Sequence, residues 1–198
     1  MTQLPKRAFL LGLAGAPFAL AGCAATPQGA AVNNQTEQTT YTQDEIINAG
    51  AEFLGTTAAA MGQAIERVFR EQGRPNAYIK GEEAAGAFVV GLRYGQGVLS
   101  MKLGPQANVY WQGPSVGFDA GGNASKCFTL VYNLPEPEAI FQRFPGVDGS
   151  AYFIGGIGVN YQQAGNVVLA PMRVGVGLRA GASVGYLAYT KERRVLPF

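Results

Sequence analysis

The chain has 198 residues, 47% hydrophobic and 14% charged, with 28 glycines; this is enough apolar material for one domain with a real core and frequent turns. Two of its 15 basic residues, Lys6 and Arg7, lie in an N-terminal segment without acids, so the rest carries 13 basic and 13 acidic side chains. An electroneutral body with no Lys/Arg cluster excludes nucleic acid as a partner. The lack of any histidine excludes Ser-His-Asp and Cys-His nucleophile systems and histidine-containing zinc sites.

The chain opens with a cationic start at Lys6 and Arg7, then an apolar run from Ala8 to Ala21 that is short for a membrane span. Leu20-Ala21-Gly22-Cys23 resembles the bacterial lipobox, in which small residues fit the signal peptidase and the cysteine thiol is acylated. Residues 1–22 therefore read as a lipoprotein signal peptide and Cys23 as the lipidated first residue of the mature protein. Ala24 stands where inner-membrane lipoproteins carry Asp, which by analogy points to the outer membrane. The stretch KRAFL is loosely similar to a twin-arginine signal, with Lys6 in place of the first arginine. A membrane reached through this anchor is the first expected partner. Removing Cys23 leaves Cys127 alone in KCFTLVY, so no internal disulfide forms. With no histidine to raise its thiolate fraction, Cys127 reads as a buried packing residue.

Residues 23–41 are rich in Ala, Gln, Asn and Thr and bury too little to repay the entropy of ordering. They read as a flexible tether that holds the domain on the order of 20–25 Å from a bilayer. Thr42 and Glu45 have the spacing of a capping box. Behind them Ile46, Ile47, Gly50, Phe53, Leu54, Met61, Ile65, Val68 and Phe69 recur at three- and four-residue steps, which predicts one amphipathic helix over about 42–72. Gly55 and Gly62 fall on one face and cost helix stability unless a sheet packs closely there. Gly73 and Pro75 end the helix.

From Tyr78 the period drops to two and short runs alternate with Gly, Pro, Asn and Asp, the signature of successive strands. Gln96 between two glycines reads as a hairpin turn, and Gly104-Pro105, Gly113-Pro114 and Gly121-Gly122-Asn123 read as breaks. PEPEAIFQRF predicts a short helix near 136–144. The segments SAYFIGGIGVNYQQ, NVVLAPMRVGVGLR and ASVGYLAYTKE each read as a strand. Residues 42–198 are thus expected to form a mainly β domain with one packed α-helix, a small closed or nearly closed antiparallel β-barrel of about 8–10 strands.

Glycine alternates in RVGVGLRAGASVGY. By parity Met172, Val174, Val176, Leu178 and Ala180 share one face, and Arg173, Gly175, Gly177 and Arg179 the other. That is strand periodicity; repeated strand glycine signals strong bending or close backbone approach, which a tightly coiled small barrel needs. Gly175 to Ala180 satisfies the letter of the dinucleotide fingerprint. No helix pattern follows it, and no acid stands about 20 residues later, so no cofactor is expected.

Few candidates for chemistry remain. Glu82 and Glu83 are adjacent, point apart on a strand, and fit a solvated turn better than a catalytic pair. Asp119 precedes Gly121 and Gly122 as a turn acid bonding the backbone. Arg173 and Arg179 share a strand face, where they pair with acids at a surface or meet anionic headgroups. Tyr110, Trp111, Phe118, Tyr132, Tyr152, Tyr161, Tyr186 and Tyr189 supply a core first and an apolar pocket second. No metal site is expected.

The run YWQGPSVGFDAGGNASKCFTLVYNLPEPEAIFQRFPGVDGSAYFIGGIGVN, followed by GVGLRAGASVGYL, resembles the envelope integrity protein A family of alphaproteobacteria. The likeness covers about residues 42–198 and rests on Trp111, Gly113, Pro114, Gly117, Asp119, Gly121, Gly122, Tyr132, Asn133, Gly146, Asp148 and Gly149. It implies a small periplasmic β-barrel with one packed helix that supports cell-envelope integrity, with no catalytic residues established. The order of helix, IKG, hairpin and W..PS..G is also similar to the SYLF lipid-binding domains. The expectation is a monomeric, non-enzymatic outer-membrane lipoprotein that binds lipid or another apolar envelope component. The alternative is a structural adaptor for peptidoglycan or a protein partner. Its candidate binding or motif positions are Trp111, Gly113, Pro114, Asp119, Arg173, Arg179 and Tyr186, besides Cys23 for lipidation.

Overall fold

Local hydrogen bonding decides where the helices begin. The computed structural model describes residues 38–119, 125–174 and 185–194, without the side chains of 85–91 and 115–119. The Thr42 hydroxyl accepts the Glu45 amide at 3.3 Å and the Glu45 carboxylate accepts the Thr42 amide at 2.8 Å, so the capping box is formed. The single helix expected over 42–72 is instead two, α1 (Gln43–Leu54) and α2 (Ala58–Gln72). Gly55 takes a left-handed conformation with φ 70°, and Thr57 caps a new helix by accepting the Ala60 amide at 3.1 Å. Gly55 thus serves a helix end rather than a packed face. Gly62 has only Ile47 Cδ1, at 3.7 Å, near the place of a Cβ.

One antiparallel sheet follows, nine-stranded among the described residues: β1 (Ala77–Met101), β2 (Gln106–Asp119), β3 (Ser125–Tyr132), β4 (Arg143–Pro145), β5 (Tyr152–Ile154), β6 (Ile157–Val159), β7 (Gln162–Ala164), β8 (Val167–Val174) and β9 (Tyr186–Thr190). Their order is β4-β9-β2-β1-β3-β8-β6-β5, with β7 also on β8. The sheet curls until its ends meet: Gly146, after β4, bridges Gln162 of β7, and Val147 N–H donates to the Tyr161 carbonyl at 2.9 Å. The mainly β, nearly closed barrel expected from the sequence is what forms.

Three turn assignments change. Gly95-Gln96-Gly97 is not a hairpin but lies within the 25-residue β1, paired to Trp111, Tyr110 and Val109. The true β1–β2 turn is at Gly104-Pro105. Gly113-Pro114 does not break β2, where it pairs with Arg93 and Leu92. A proline is tolerated because β9 pairs β2 only at Tyr110–Gln112, leaving Pro114 beyond that ladder. The run from Ser150 to Gln163, read as one strand, folds back at Gly155 and Gly156, with φ 59° and 83°, as a primed hairpin turn requires. The helix expected near 136–144 is a 3-10 turn, Pro137–Ile140. Gly121 to Asn123 lie outside the described residues.

Strand parity builds two cores. On one face Phe128, Leu130, Ala170 and Met172 meet Ile46, Met61, Ile65 and Val68 of the helices. On the other, Ile79, Leu99, Trp111, Val131, Leu169, Leu187 and Tyr189 fill the barrel. Strands β3 and β8 are therefore apolar on both faces. The predicted division at residues 172–174 holds, since Met172 and Val174 face the helices and Arg173 points the opposite way.

Candidate functional site

An ion cluster occupies one end of the barrel interior. Glu83, from an inward position on β1, is 4% exposed, Arg93 5% and Arg173 3%. Arg173 Nε donates to Glu83 Oε1, and Arg173 Nη2 donates to Glu83 Oε2 at 3.1 Å. Arg93 Nη1 lies 3.4 Å from Glu83 Oε1. Trp111 Nε1 donates to Glu83 Oε2 at 3.3 Å, and Arg173 Nη1 to Asn160 Oδ1 at 3.0 Å. The bidentate geometry fixes carboxylate and guanidinium in one plane.

Two sequence expectations are overturned here. Glu82 and Glu83 do point apart, with Glu82 exposed, but they lie in β1 rather than a solvated turn, and Glu83 is buried. Arg173 pairs with an acid inside the barrel, not at a surface. The register explains both: Glu83 faces Ser125 across β1–β3, and Arg173 faces Cys127 across β3–β8. Three strands thus bring together residues that stand 90 positions apart.

Burial by itself would raise the Glu83 carboxyl, but Arg173, Arg93 and the Trp111 indole override it and hold the group below the usual carboxylate range. Glu83 is ionised and its oxygens are engaged, so it has no proton to give and little basicity. Cys127 is buried and free, as expected. Burial pushes its thiol up, and its sulfur lies 3.6 Å from Thr129 Oγ1, so it offers no thiolate. Among the described residues no group of three or more His, Cys, Asp or Glu could hold a metal ion.

The remaining candidates are dispersed. Trp111 is buried in the barrel, 5.8 Å from the Tyr189 ring. Gly113 lets the Tyr186 carbonyl approach where a Cβ would stand. Half-buried Pro114 packs near Gly185, and Tyr186 has the Arg143 guanidinium 5.3 Å over its ring. Asp119 ends β2 opposite Ala87, and its side chain lies outside those described. Cys23 and Arg179 lie outside the described residues.

Beside the cluster opens a cleft of about 450 Å3, lined by Glu83, Tyr94, Gln96, Tyr110, Trp111 and Gln112, with Arg193 and Arg194 at the rim. Arg193 Nη2 donates to Gln96 Oε1 at 3.2 Å. A second cleft of about 500 Å3 includes Phe141, Arg143, Thr190 and Lys191, and shares Gln112 and Arg194 with the first. The two are therefore neighbours. Sequence reasoning missed this surface because Arg193 and Arg194 reach it only through the β2–β9 pairing.

The model of the envelope integrity protein A family matches residues 39–198. The chain is also similar to a solved structure, a beta-barrel-like uncharacterised protein from Brucella abortus, at 43% identity and a TM-score of 0.75, over 81% of this chain and 99% of that one. Among curated proteins nothing matches.

Proposed function

The chain belongs to the envelope integrity protein A family, and on that premise we propose that it is a non-enzymatic, lipid-anchored adaptor of the periplasm. It holds an envelope polymer or protein against the outside of its barrel. The carrying observation is how closely the described interior residues approach one another. A Cβ on Gly97 would stand 2.5 Å from the Lys80 carbonyl oxygen and 2.8 Å from Gly81 Cα, so the two ends of β1 touch backbone to backbone. Above that contact, Trp111 covers Gly95 and donates to the buried Glu83. Close backbone contact and buried charge at these described interior positions favour an external partner over stored lipid. Anchoring rests on the lipobox at Cys23, and outer-membrane placement on Ala24. No described helix is long and apolar enough to cross a membrane.

Two measurements test this reading. Cys23→Ala should move the protein from the membrane fraction to the soluble one; continued sedimentation with membranes would remove the anchor. Purified full-length protein should take up no fluorescent fatty acid, and crosslinking in intact cells should capture one dominant partner. Stoichiometric lipid uptake would overturn the adaptor.

A further inference from the structure

Resting on the adaptor reading and naming its partner class, we propose that the two neighbouring clefts bind a linear acidic polysaccharide strand. Three features of the surface converge on that ligand. The first is shape: two clefts of about 450 and 500 Å3 have Gln112 and Arg194 in common, so neighbouring sites lie side by side, as successive units of a polymer require. Each is within the range of about 300–1,000 Å3 typical of ligand sites.

The second is the alternation of lining chemistry. Gln96 lies opposite Tyr110 across the ladder, and Tyr94 opposite the buried Gln112, so two half-buried rings flank the exposed Gln96 amide. Rings offer flat apolar surface to the C–H faces of sugars. The Gln96 amide, whose oxygen accepts from Arg193, offers its N–H donors to a sugar hydroxyl.

The third is charge. Among the described lining residues Arg143, Lys191, Arg193 and Arg194 stand against Glu82 and Glu192, with Glu83 already neutralised by its own guanidiniums. Arginine forks match carboxylates bidentately, so the sugar bears carboxylates. Lys191 is 3.9 Å from Glu138, an exposed and weak pairing that leaves the rim basic. The Trp111 indole at the cleft floor is the only tryptophan in the sequence and reports occupancy by its fluorescence.

The full-length protein is titrated with soluble peptidoglycan glycan strands and, separately, with lipopolysaccharide core oligosaccharide, following Trp111 emission and heat of binding. At least one should bind, and which one does identifies the source. Reducing the carboxylates of the bound sugar should weaken it, and the Arg193→Ala/Arg194→Ala variant should lose about tenfold or more in affinity, with an unchanged melting temperature because both side chains are exposed. Tyr110→Ala should weaken binding independently. Failure of both sugars to bind, equal binding by the arginine variant, or equal binding of a single-stranded oligonucleotide would overturn the proposal. If neither sugar binds while crosslinking in cells still captures a protein partner, the polysaccharide assignment falls and the adaptor reading stands.

Discussion

Among the described residues, Glu83 is the acid on which the buried guanidiniums of Arg93 and Arg173 converge, so its removal should be costly. Glu83→Ala leaves Arg173 buried without its carboxylate, and breaking a buried pair costs about 3–5 kcal/mol; urea unfolding of the variant should show a loss of that size, and a loss under 1 kcal/mol would contradict the buried cluster. Because the Glu83 carboxyl is held below its ordinary value of 4.5, its contribution is fully present above that pH and is lost as pH falls below it. Thermal melts from pH 7 to pH 3 should therefore fall more steeply for the native protein than for Glu83→Gln. Glu45 and Glu71 are lowered too, chiefly by hydrogen bonds from Lys102 and Tyr161 respectively, so the difference between the two curves is the readout. Parallel curves would mean that Glu83 is not ionised through its pairing. The sequence could not reveal this cluster. Adjacent acids look solvated wherever the next strand is unknown, and Arg173 looks like a surface residue until β3 and β8 are set in register. The Thr42–Glu45 box, by contrast, was legible because its partners are three residues apart.

Glycine carries several meanings at the level of the element, and the chain uses at least three. Gly55 ends α1 with a positive φ, Gly62 sits within α2 with only Ile47 in van der Waals reach of a Cβ, and Gly97 allows β1 to touch itself. Composition makes all three look alike, which is why a turn was expected at Gly95–Gly97 and an unbroken helix across Gly55. The strand period was still readable at Met172–Val174, since alternation needs no tertiary partner. Substitution separates the roles. Gly62→Ala should stabilise the protein by about 0.5–1 kcal/mol, because the helix gains propensity and the new methyl meets only Ile47. Gly97→Ala should destabilise it by about 1–3 kcal/mol, because the methyl meets the Lys80 carbonyl and Gly81 backbone and neither can swing aside. Denaturant midpoints measure both, and a Gly97→Ala protein as stable as its parent would mean that the two ends of β1 are not in contact.

The molecule as a whole is a barrel with a helical layer fixed to one side, and β3 and β8 belong to both cores. Helices α1 and α2 cover Phe128, Leu130, Ala170 and Met172, while the opposite face of the same strands carries Cys127, Val131, Val167 and Leu169 into the barrel. Detaching the helices would bare large apolar side chains on strands that have no polar face to turn outward, so the layers cannot melt separately at modest cost. The Tyr161 hydroxyl, which donates to Glu71 at 2.6 Å, fastens α2 to the barrel as well. Two probes see the layers apart: helical circular dichroism reports α1 and α2, and fluorescence of the sole tryptophan, Trp111, reports the barrel interior. The two unfolding transitions should coincide in midpoint and slope, as all-or-none behaviour demands. A helical transition that precedes the Trp111 transition would show the helices to be a detachable cover, and the barrel's rigidity would then have to come from the strand ladder and the buried Glu83 cluster alone.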